Sequence, residues 1–575
     1  MCIRTNSIRR LIIASITIVL TSHFSYGNEP DTLQVWNRYV EEGPVDRNLP
    51  DFSYAGQDNS FRCTPERHVT VTDDKYGAIP DDNIDDRDAI QKAIDDIGSR
   101  GGGIIYFPEG RYNIRGGRPG DILQLKMDNI VLRGAGKDSK GVQKSILYLE
   151  KGSTEGRLAQ PGTIDNDIRQ NALIQIIGGK SDKTLSVITG DALRGETIIP
   201  VSGTSLLTEG QIIKIELTDP VDLENPDIED TDLIQKLIEP RELKENEIHC
   251  YAEPYAKTIY WVTRIKRIID QNSIELYNPL RVDHLERHKP RIVEFKGLTG
   301  IGVEDLALES AWPGQYVHHR PHPYWAKDDQ YIIRGEREQD YEWIGVWVSL
   351  AADCWIKNTD IRGFTQGMIF THCSYITSEN ICFWGTEGHA GVTLSMASNL
   401  LFKQLHYYAR FIHPISLRAW SNGNVFTSST AHYDGRDPVS GGGPMLDFHG
   451  IFPYENLFDN LKGFYVASGG LRSVHPNAGV RNVFWNISTP PRIDRYLEIN
   501  NEFLNASFAD KDEMYKEHPQ SFLIGIHSPG QLEVKIAGES NDRCTQWFTV
   551  EAFNKPLVNM PSLYIAQVEL HRSYD

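Results

Sequence analysis

Between residues 345 and 490 apolar positions recur at intervals too long for one helix or strand. Asn399, Asn424, Asn456 and Asn482 each precede an apolar pair (Leu400-Leu401, Val425-Phe426, Leu457-Phe458, Val483-Phe484), at spacings of 25, 32 and 26 residues. A second ladder aligns Ile369, Val392, Ile415 and Leu446 at spacings of 23, 23 and 31. Both ladders lengthen across the same coil, between Val425 and Leu446, where Asp434 to Gly443 is rich in turn residues and reads as a projecting loop. Repeats of about 22 to 26 residues suit a coil of three short strands, with Asn side chains bonding from turn to turn. The recurring L-x-x-L-x-L frame of a leucine-rich repeat is absent.

Upstream, a strand at Val69 to Thr72 leads into Lys75-Tyr76-Gly77-Ala78, an acidic cluster, and a helix with Ile90, Ala93, Ile94 and Ile97 on one face. Gly101 to Gly103, strand Ile104 to Phe107, the turn Pro108-Glu109-Gly110 and strand Asn129 to Arg133 follow. The acids at the helix start are read as favoured by its dipole. An EF-hand is rejected, because Asp86 and Lys92 stand where that loop needs Gly and Glu.

This passage resembles the N-terminal entry of the pectate-lyase superfamily of right-handed parallel β-helix proteins. The matching pieces are Tyr76-Gly77-Ala78, the acids from Asp81 to Asp88, Ala89-Ile90-Gln91-Lys92-Ala93-Ile94, the glycine run, and Pro108-Glu109-Gly110-Arg111-Tyr112. Lys75 departs from the usual Asp, and Asp81-Asp82-Asn83 from the usual Asp-Gly. The resemblance implies an all-β chain: a right-handed parallel β-helix with an N-terminal capping helix. It does not select a reaction, since the superfamily holds lyases, hydrolases and phage adhesins.

Short β-like runs from 185 to 295, such as Gln211 to Ile215, suggest a small inserted β subdomain, with the acidic stretch Asp219 to Glu247 as a solvated loop. The expected organisation is a leader (1–27), an N-terminal extension (28–67), β-helix entry and first coils (68–184), the insertion (185–295), the main coils (296–499) and a C-terminal strand cap (500–575). In the cap, Ser562 to Leu570 is read as a strand.

Composition narrows the function class. Of 575 residues, 40% are hydrophobic and 24% charged, as in an ordinary folded protein. Arg4, Arg9 and Arg10, the apolar run Leu11 to Leu20 and Ser25-Tyr26-Gly27 form a secretory signal, so secretion or periplasmic export is expected, and the run is too short to span a membrane. Without that leader 56 basic residues face 78 acidic ones, a net charge of −22 that excludes a general nucleic-acid binder. Cys63, Cys250, Cys354, Cys373, Cys382 and Cys544 match no zinc spacing, and their pairing stays open.

Alternation along the second ladder supplies the candidate chemistry. Its strands run Ile369 to His372, Val392 to Ser395, Ile415 to Arg418 and Leu446 to His449. Columns 369/392/415/446 and 371/394/417/448 then face the core, while 370/393/416/447 and 372/395/418/449 face out. Arg418, Asp447, His449 and His413 converge on one outer patch, with Arg418 and His449 on neighbouring rungs and exposed. His389, Arg410, Arg436, Arg472 and Tyr408 are expected to bind substrate around it, the arginines supplying a local positive field. Trp384, Tyr408, Tyr433 and Tyr465 form an aromatic column with Phe383, Tyr407, His432 and Phe464 beside it.

β-Elimination from a uronate needs a cation on the carboxylate, a base near neutral pKa and an acid for the leaving oxygen. Arg418 suits the first role, His449 or His413 the second, and a Tyr or the other His the third. Hydrolysis needs two carboxyl groups, and Asp447 would require Asp434, Asp437 or Glu387 as partner. The polygalacturonase motif set is incomplete: Asn358-Thr359-Asp360 and His449-Gly450 are present without the D-D pair or R-I-K. The expected function is therefore a polysaccharide lyase on an anionic, uronate-containing chain. A glycoside hydrolase and a non-catalytic carbohydrate-binding β-helix are the alternatives. No metal ligand set is assigned, His318 and His322 being separated by Pro321. No cofactor is called for, and Ca2+ is the one ion left open.

Overall fold

Parallel strands pair from one turn of the chain to the next in two long sheets. A computed structural model describes residues 33–45, 48–57, 67–117, 120–152, 172–219, 232–242, 258–312, 343–385, 387–432, 444–468, 476–490, 495–496, 518–529, 533–536 and 547–573. A sixteen-stranded sheet includes Thr377–Trp384, Leu401–Tyr407, Val425–Thr427, Leu457–Asp459 and Val483–Trp485. An eight-stranded sheet runs through Ala172–Ile177, Ile344–Ser349, Gln366–Thr371, Gly388–Ser395, Phe411–Arg418, Met445–Phe448 and Tyr465–Ser468. This is the right-handed parallel β-helix expected from the entry motif. Residues 1–27, expected to be a leader, and the loop expected from Asp434 to Gly443 lie outside the described residues.

The interior follows from alternation. Val392, Leu394, Ile415, Leu417, Leu446 and Phe448 are fully buried in one continuous core. Opposite them Phe402, Phe426, Phe458 and Phe484 stack rung on rung, with centroids 4.6, 5.5 and 5.2 Å apart. The asparagine ladder is real over three rungs: the Asn424 amide donates to Asn456 at 2.9 Å and that of Asn456 to Asn482 at 3.1 Å. Asn399 is one position out, because Leu401 pairs with Val425. Its side chain instead accepts from Arg281.

The second ladder also needs one correction. Ile415 pairs with Val392 and with Leu446 as expected, but the partner of Val392 is Met368, not Ile369. Ile369 therefore faces out, and Thr371 rather than His372 joins the column of Ser395 and Arg418. A spacing of 24 rather than 23 residues at that rung causes the slip.

Helix α1 (Gln34–Glu42) precedes the coil, and α2 (Arg87–Ser99) closes its first turn with Ile90, Ala93, Ile94 and Ile97 buried. The acids before α2 do more than complement its dipole. Asp81 and Asp85 accept from the backbone of Arg111 and Arg115, and Asp86 from Ile79 and Asn113, latching the entry turn onto strand Gly110–Gly116.

The coil closes directly across the insertion: Ile130–Gly134 pairs with Gly302–Glu304, and Ala172–Ile177 with Ile344–Ser349. Between them, strands from Thr184 to Glu294 build a six-stranded antiparallel sheet. Its core includes Trp420, Phe452 and Tyr454 of the coil, which anchor the insertion to the turns that follow the eight-stranded sheet. The acidic stretch is not all solvated loop. Helix α3 (Asp232–Ile238) buries Leu233, Ile234, Leu237 and Ile238 in this core, and flanking acids disguise its period in the sequence.

The expected last strand is also a helix, α4 (Leu563–Arg572). Its Ser562 side chain accepts from Ile565 N–H, and the buried Asp459 carboxylate accepts from Leu563 N–H at 2.8 Å. Leu563 and Gln567, four residues apart, face inward, so tertiary packing overrides the β-like alternation. Among the described cysteines, Cys354, Cys373 and Cys382 are free thiols. No described helix is long and apolar enough to cross a membrane.

Candidate functional site

A local break in alternation builds the site on the outer face of the eight-stranded sheet. Gly367 and Gly391 face the interior, where an added Cβ would lie 2.5 Å from Phe383 and from Tyr407 respectively. Phe383 and Tyr407, stacked at 4.6 Å, need that space. Met368 and Val392, the next residues, are buried in the same core. Two consecutive inward residues on each strand thus leave the preceding position facing out. On strand Phe411–Arg418 that position is His413.

Asp447 pairs across the rung with Ser416, whose hydroxyl donates to its Oδ2 at 2.8 Å. His449 Nδ1 lies 3.0 Å and His413 Nδ1 3.6 Å from the same oxygen. The His413 ring sits 5.6 Å from that of His449 and 5.3 Å from that of His389, centroid to centroid. His449 N–H donates to Leu417 O, which sets it one rung from Arg418, about 4.8 Å along the coil. Four sequence candidates thus come together as one cluster.

Their exposure differs from expectation. The Asp447 side chain is 1% and that of His413 8% exposed, whereas His449 is 22% exposed and Arg418 partly buried. They point out of the coil but sit at the bottom of a covered face, where Thr371, Thr393 and Ser395 are buried too. His389 lies buried behind His413 rather than on a substrate-facing surface. Arg410 reaches Glu387 at 2.8 Å, so its charge is neutralised locally instead of adding to a positive field. Arg436, Arg472 and Tyr433 lie outside the described residues. His432, not Tyr433, shares the column of Trp384 and Tyr408.

Arg418 is the unbalanced charge. Its Nε is buried without a hydrogen-bond partner, and no carboxylate among the described residues pairs with it. Burial pushes His413 down to about 3, helped by the positive charge of its neighbours and opposed by Asp447. Burial and then Arg418 likewise lower His449. Burial alone would raise Asp447, but the two imidazoles and the Ser416 hydroxyl hold it well below the carboxylate range. An ionised Asp447 fixes the proton of His449 on Nδ1 and leaves Nε2 as a free base.

The insertion walls one side of this face. Its Tyr260 stacks on His372 at 5.7 Å and meets Trp420 edge-on at 6.2 Å, at the turn just after Arg418. Sequence reasoning missed Ser416 as an Asp447 partner although their ladder alignment contained it. Tyr260 had no signal, since nothing in the sequence says where the insertion docks.

The ligand atoms of His413, Asp447 and His449 lie within 4.8 Å of one another. Two imidazoles and one carboxylate are not the oxygen-rich donor set that Ca2+ takes, and the Arg418 cation beside them opposes a second positive charge.

Comparison with known proteins agrees with the entry motif. Residues 69–203 match the family model "Rhamnogalacturonase A/epimerase, pectate lyase-like". Mannuronan C5-epimerase AlgE1 of Azotobacter vinelandii is 35% identical over 106 residues, 18% of this chain and 7% of that protein. Alginate lyase 7 of the same organism is 42% identical over 62 residues, 11% of this chain and 7% of that protein. Among solved structures, the tailspike protein gp49 from Pseudomonas phage LKA1 is 11% identical, covering 73% of this chain and 64% of that one with a TM-score of 0.43. The chain therefore spans only a small part of the curated relatives it matches, and its likeness to the pectate-lyase-like family rests on the entry segment, residues 69–203.

Proposed function

We propose that the protein is an exported enzyme acting on a uronate-containing polysaccharide, and that it removes the proton α to the uronate carboxylate with β-elimination of the glycosidic oxygen. The observation that carries this reading is the Arg418 guanidinium, which no carboxylate among the described residues pairs with, one rung from a histidine whose Nδ1 is held by a buried carboxylate. Arg418 would neutralise the substrate carboxylate and so acidify the adjacent carbon. His449 Nε2 would take the proton, and the imidazolium, stabilised by Asp447, would return it to the leaving oxygen. His413, more deeply buried and held neutral, serves to position Asp447 and is a poor acid.

Hydrolysis is less well served. Asp447 is buried and its Oδ2 is engaged by His449 and Ser416, while Glu387 is tied to Arg410. No pair of free carboxyl groups with the required separation of about 5 to 9.5 Å is supplied by these residues. Epimerisation is the second reading, supported by the match to a mannuronan C5-epimerase. It shares the first step and returns the proton to the other face of the carbon.

Incubation with mannuronan, alginate, polygalacturonate and neutral glucan in deuterated water separates the outcomes. Unsaturated product seen by ultraviolet absorbance supports elimination. Deuterium at C5 without chain cleavage supports epimerisation. New reducing ends without that absorbance, or activity on the neutral glucan alone, would refute the proton-abstraction reading.

A further inference from the structure

The corner of the coil that leads into the eight-stranded sheet carries an exposed aromatic stack. Phe383 pairs with Tyr407 and Tyr407 with Ala431, so the next residues, Trp384, Tyr408 and His432, fall on three successive rungs. Trp384 and Tyr408 lie 3.9 Å apart at 5°, and Tyr408 and His432 lie 4.1 Å apart at 8°. Their inner neighbours Phe383 and Tyr407 also stack, but those rings are buried and fill the core. The outer rings fill nothing: Trp384 is 39% and Tyr408 41% exposed, and His432 is exposed too.

Both faces of Tyr408 are occupied by its neighbours, which leaves only its edge to solvent. The stack therefore carries a comb of an indole N–H, a phenolic O–H and an imidazole nitrogen on three successive rungs, the rings 3.9 and 4.1 Å apart. Aromatic residues with polar tips favour partners that are apolar on one side and hydrogen-bonding on the other. A pyranose ring has that character, and a glycan running along the coil axis would meet one polar tip per rung. Tyr408 precedes His413 by five residues, at most about 18 Å of extended chain, so the comb lies within a few sugar lengths of the His413, Asp447 and His449 cluster. The cations around it are paired: Arg410 is neutralised by Glu387, and Lys137, whose charge helps burial to lower the neighbouring His406, lies 3.3 Å from Asp360.

Resting on the reading of the chain as a polysaccharide-active enzyme, we propose that Trp384, Tyr408 and His432 form a second, non-reacting glycan-binding strip that holds the polymer beside the groove through its hydroxyl groups. Recognition by neutral tips should survive salt, whereas capture of a carboxylate by Arg418 should weaken with it.

The test is retention of the intact protein in affinity gels containing alginate or polygalacturonate, alongside kcat/KM on the polymer and on its trisaccharide. Trp384→Ala and Tyr408→Ala should weaken retention about tenfold, or 1.4 kcal/mol, and lower the polymer-to-trisaccharide ratio of kcat/KM by a similar factor. Tyr408→Phe, which keeps the stack, should lose less, and circular dichroism melting of each variant should match the parent. His449→Ala should be retained like the parent. Unchanged retention and ratio in both alanine variants would overturn the strip, as would a parent protein retained by neither polymer. Self-association abolished by Trp384→Ala would reassign the strip to a protein contact. Retention that depends on Trp384 without turnover of either polymer would uphold the strip and sink the enzymatic reading instead.

Discussion

The outer faces of the two long sheets belong to the same coils and obey the same alternation, yet they end differently. On the sixteen-stranded sheet the outward column Leu401, Val425, Leu457, Val483 and Phe522 is apolar and sealed by Leu33, Val35, Tyr39 and Phe52 from one end of the chain and Leu557 and Leu563 from the other. On the eight-stranded sheet the outward positions are Ser416, Asp447 and His449, which bond among themselves, and Arg418, which has no counter-charge among the described residues. Strand geometry only decides which residues leave the core. Whether the emerging face becomes a second core or a chemical surface depends on the side chains placed there.

The largest expected effect falls on the chemical face. His449→Ala and Arg418→Ala should each lower kcat/KM by about 10²- to 10⁴-fold on the polymer that the enzyme turns over, the range for a lost acid-base group. Arg418→Lys, which keeps the charge but loses the planar fork, should restore part of it. Stopped assays across pH sharpen this, since a neutral His449 with a lowered pKa predicts activity that holds below pH 6.5 and fails only as the solution becomes more acidic.

Next comes the sealed face. Leu457→Ala should cost about 2 to 5 kcal/mol in a denaturant titration, as much as Leu417→Ala inside the coil, although Leu457 points away from the helix axis. A cost near zero would show that the covering segments detach readily and would erase the contrast between the two faces.

The faces should also respond to pH with opposite signs. Burial raises Asp459, under α4, to about 6 despite the hydrogen bonds it accepts from Ser562, Thr427 and Leu563. Its contribution to stability is full below its unfolded value of about 3.9 and is lost as pH rises through about 6. His413 behaves in reverse: its stability is full above 6.5 and is lost as pH falls toward about 3. Asp459→Asn should flatten only the first limb and His413→Gln only the second, as read from melting temperature against pH. The smallest effect is that of the α4 cap, where Ser562→Ala should cost about 0.5 to 2 kcal/mol without touching activity.

How much of this was legible follows from the kind of order involved. The entry motif and the 23-, 31- and 26-residue spacings identify the coil and put Arg418, His413, Asp447 and His449 together, because parallel pairing converts sequence separation into position. The same arithmetic slipped by one at Ile369 and Asn399, where a 24-residue coil breaks the period. It assigned the outward direction of the cluster correctly but not its burial, since exposure depends on what packs over a face. Helix α4 was misread for a related reason: Leu563 and Ile565 alternate like a strand, and only the docking of Leu563 and Gln567 against distant residues selects the helix. The exposed stack escaped by one position, His432 standing where Tyr433 was expected.

The sealing of the sixteen-stranded sheet has a consequence for how the protein is made. Repeat coils can in principle form one after another as the chain leaves the ribosome. Here, however, Phe52 N–H bonds to Gln567, a partner 515 residues away, and Asp51 meets His571 at 2.8 Å. At about 5 to 20 residues per second, synthesis separates these partners by roughly 25 to 100 seconds. The strip from Leu401 to Val483 is made late in that interval and then waits for the 162 residues from Leu401 to Leu563, about 8 to 32 seconds of synthesis, without complete cover, so a nascent chain carries an apolar seam that a chaperone must shield or a neighbouring chain can capture.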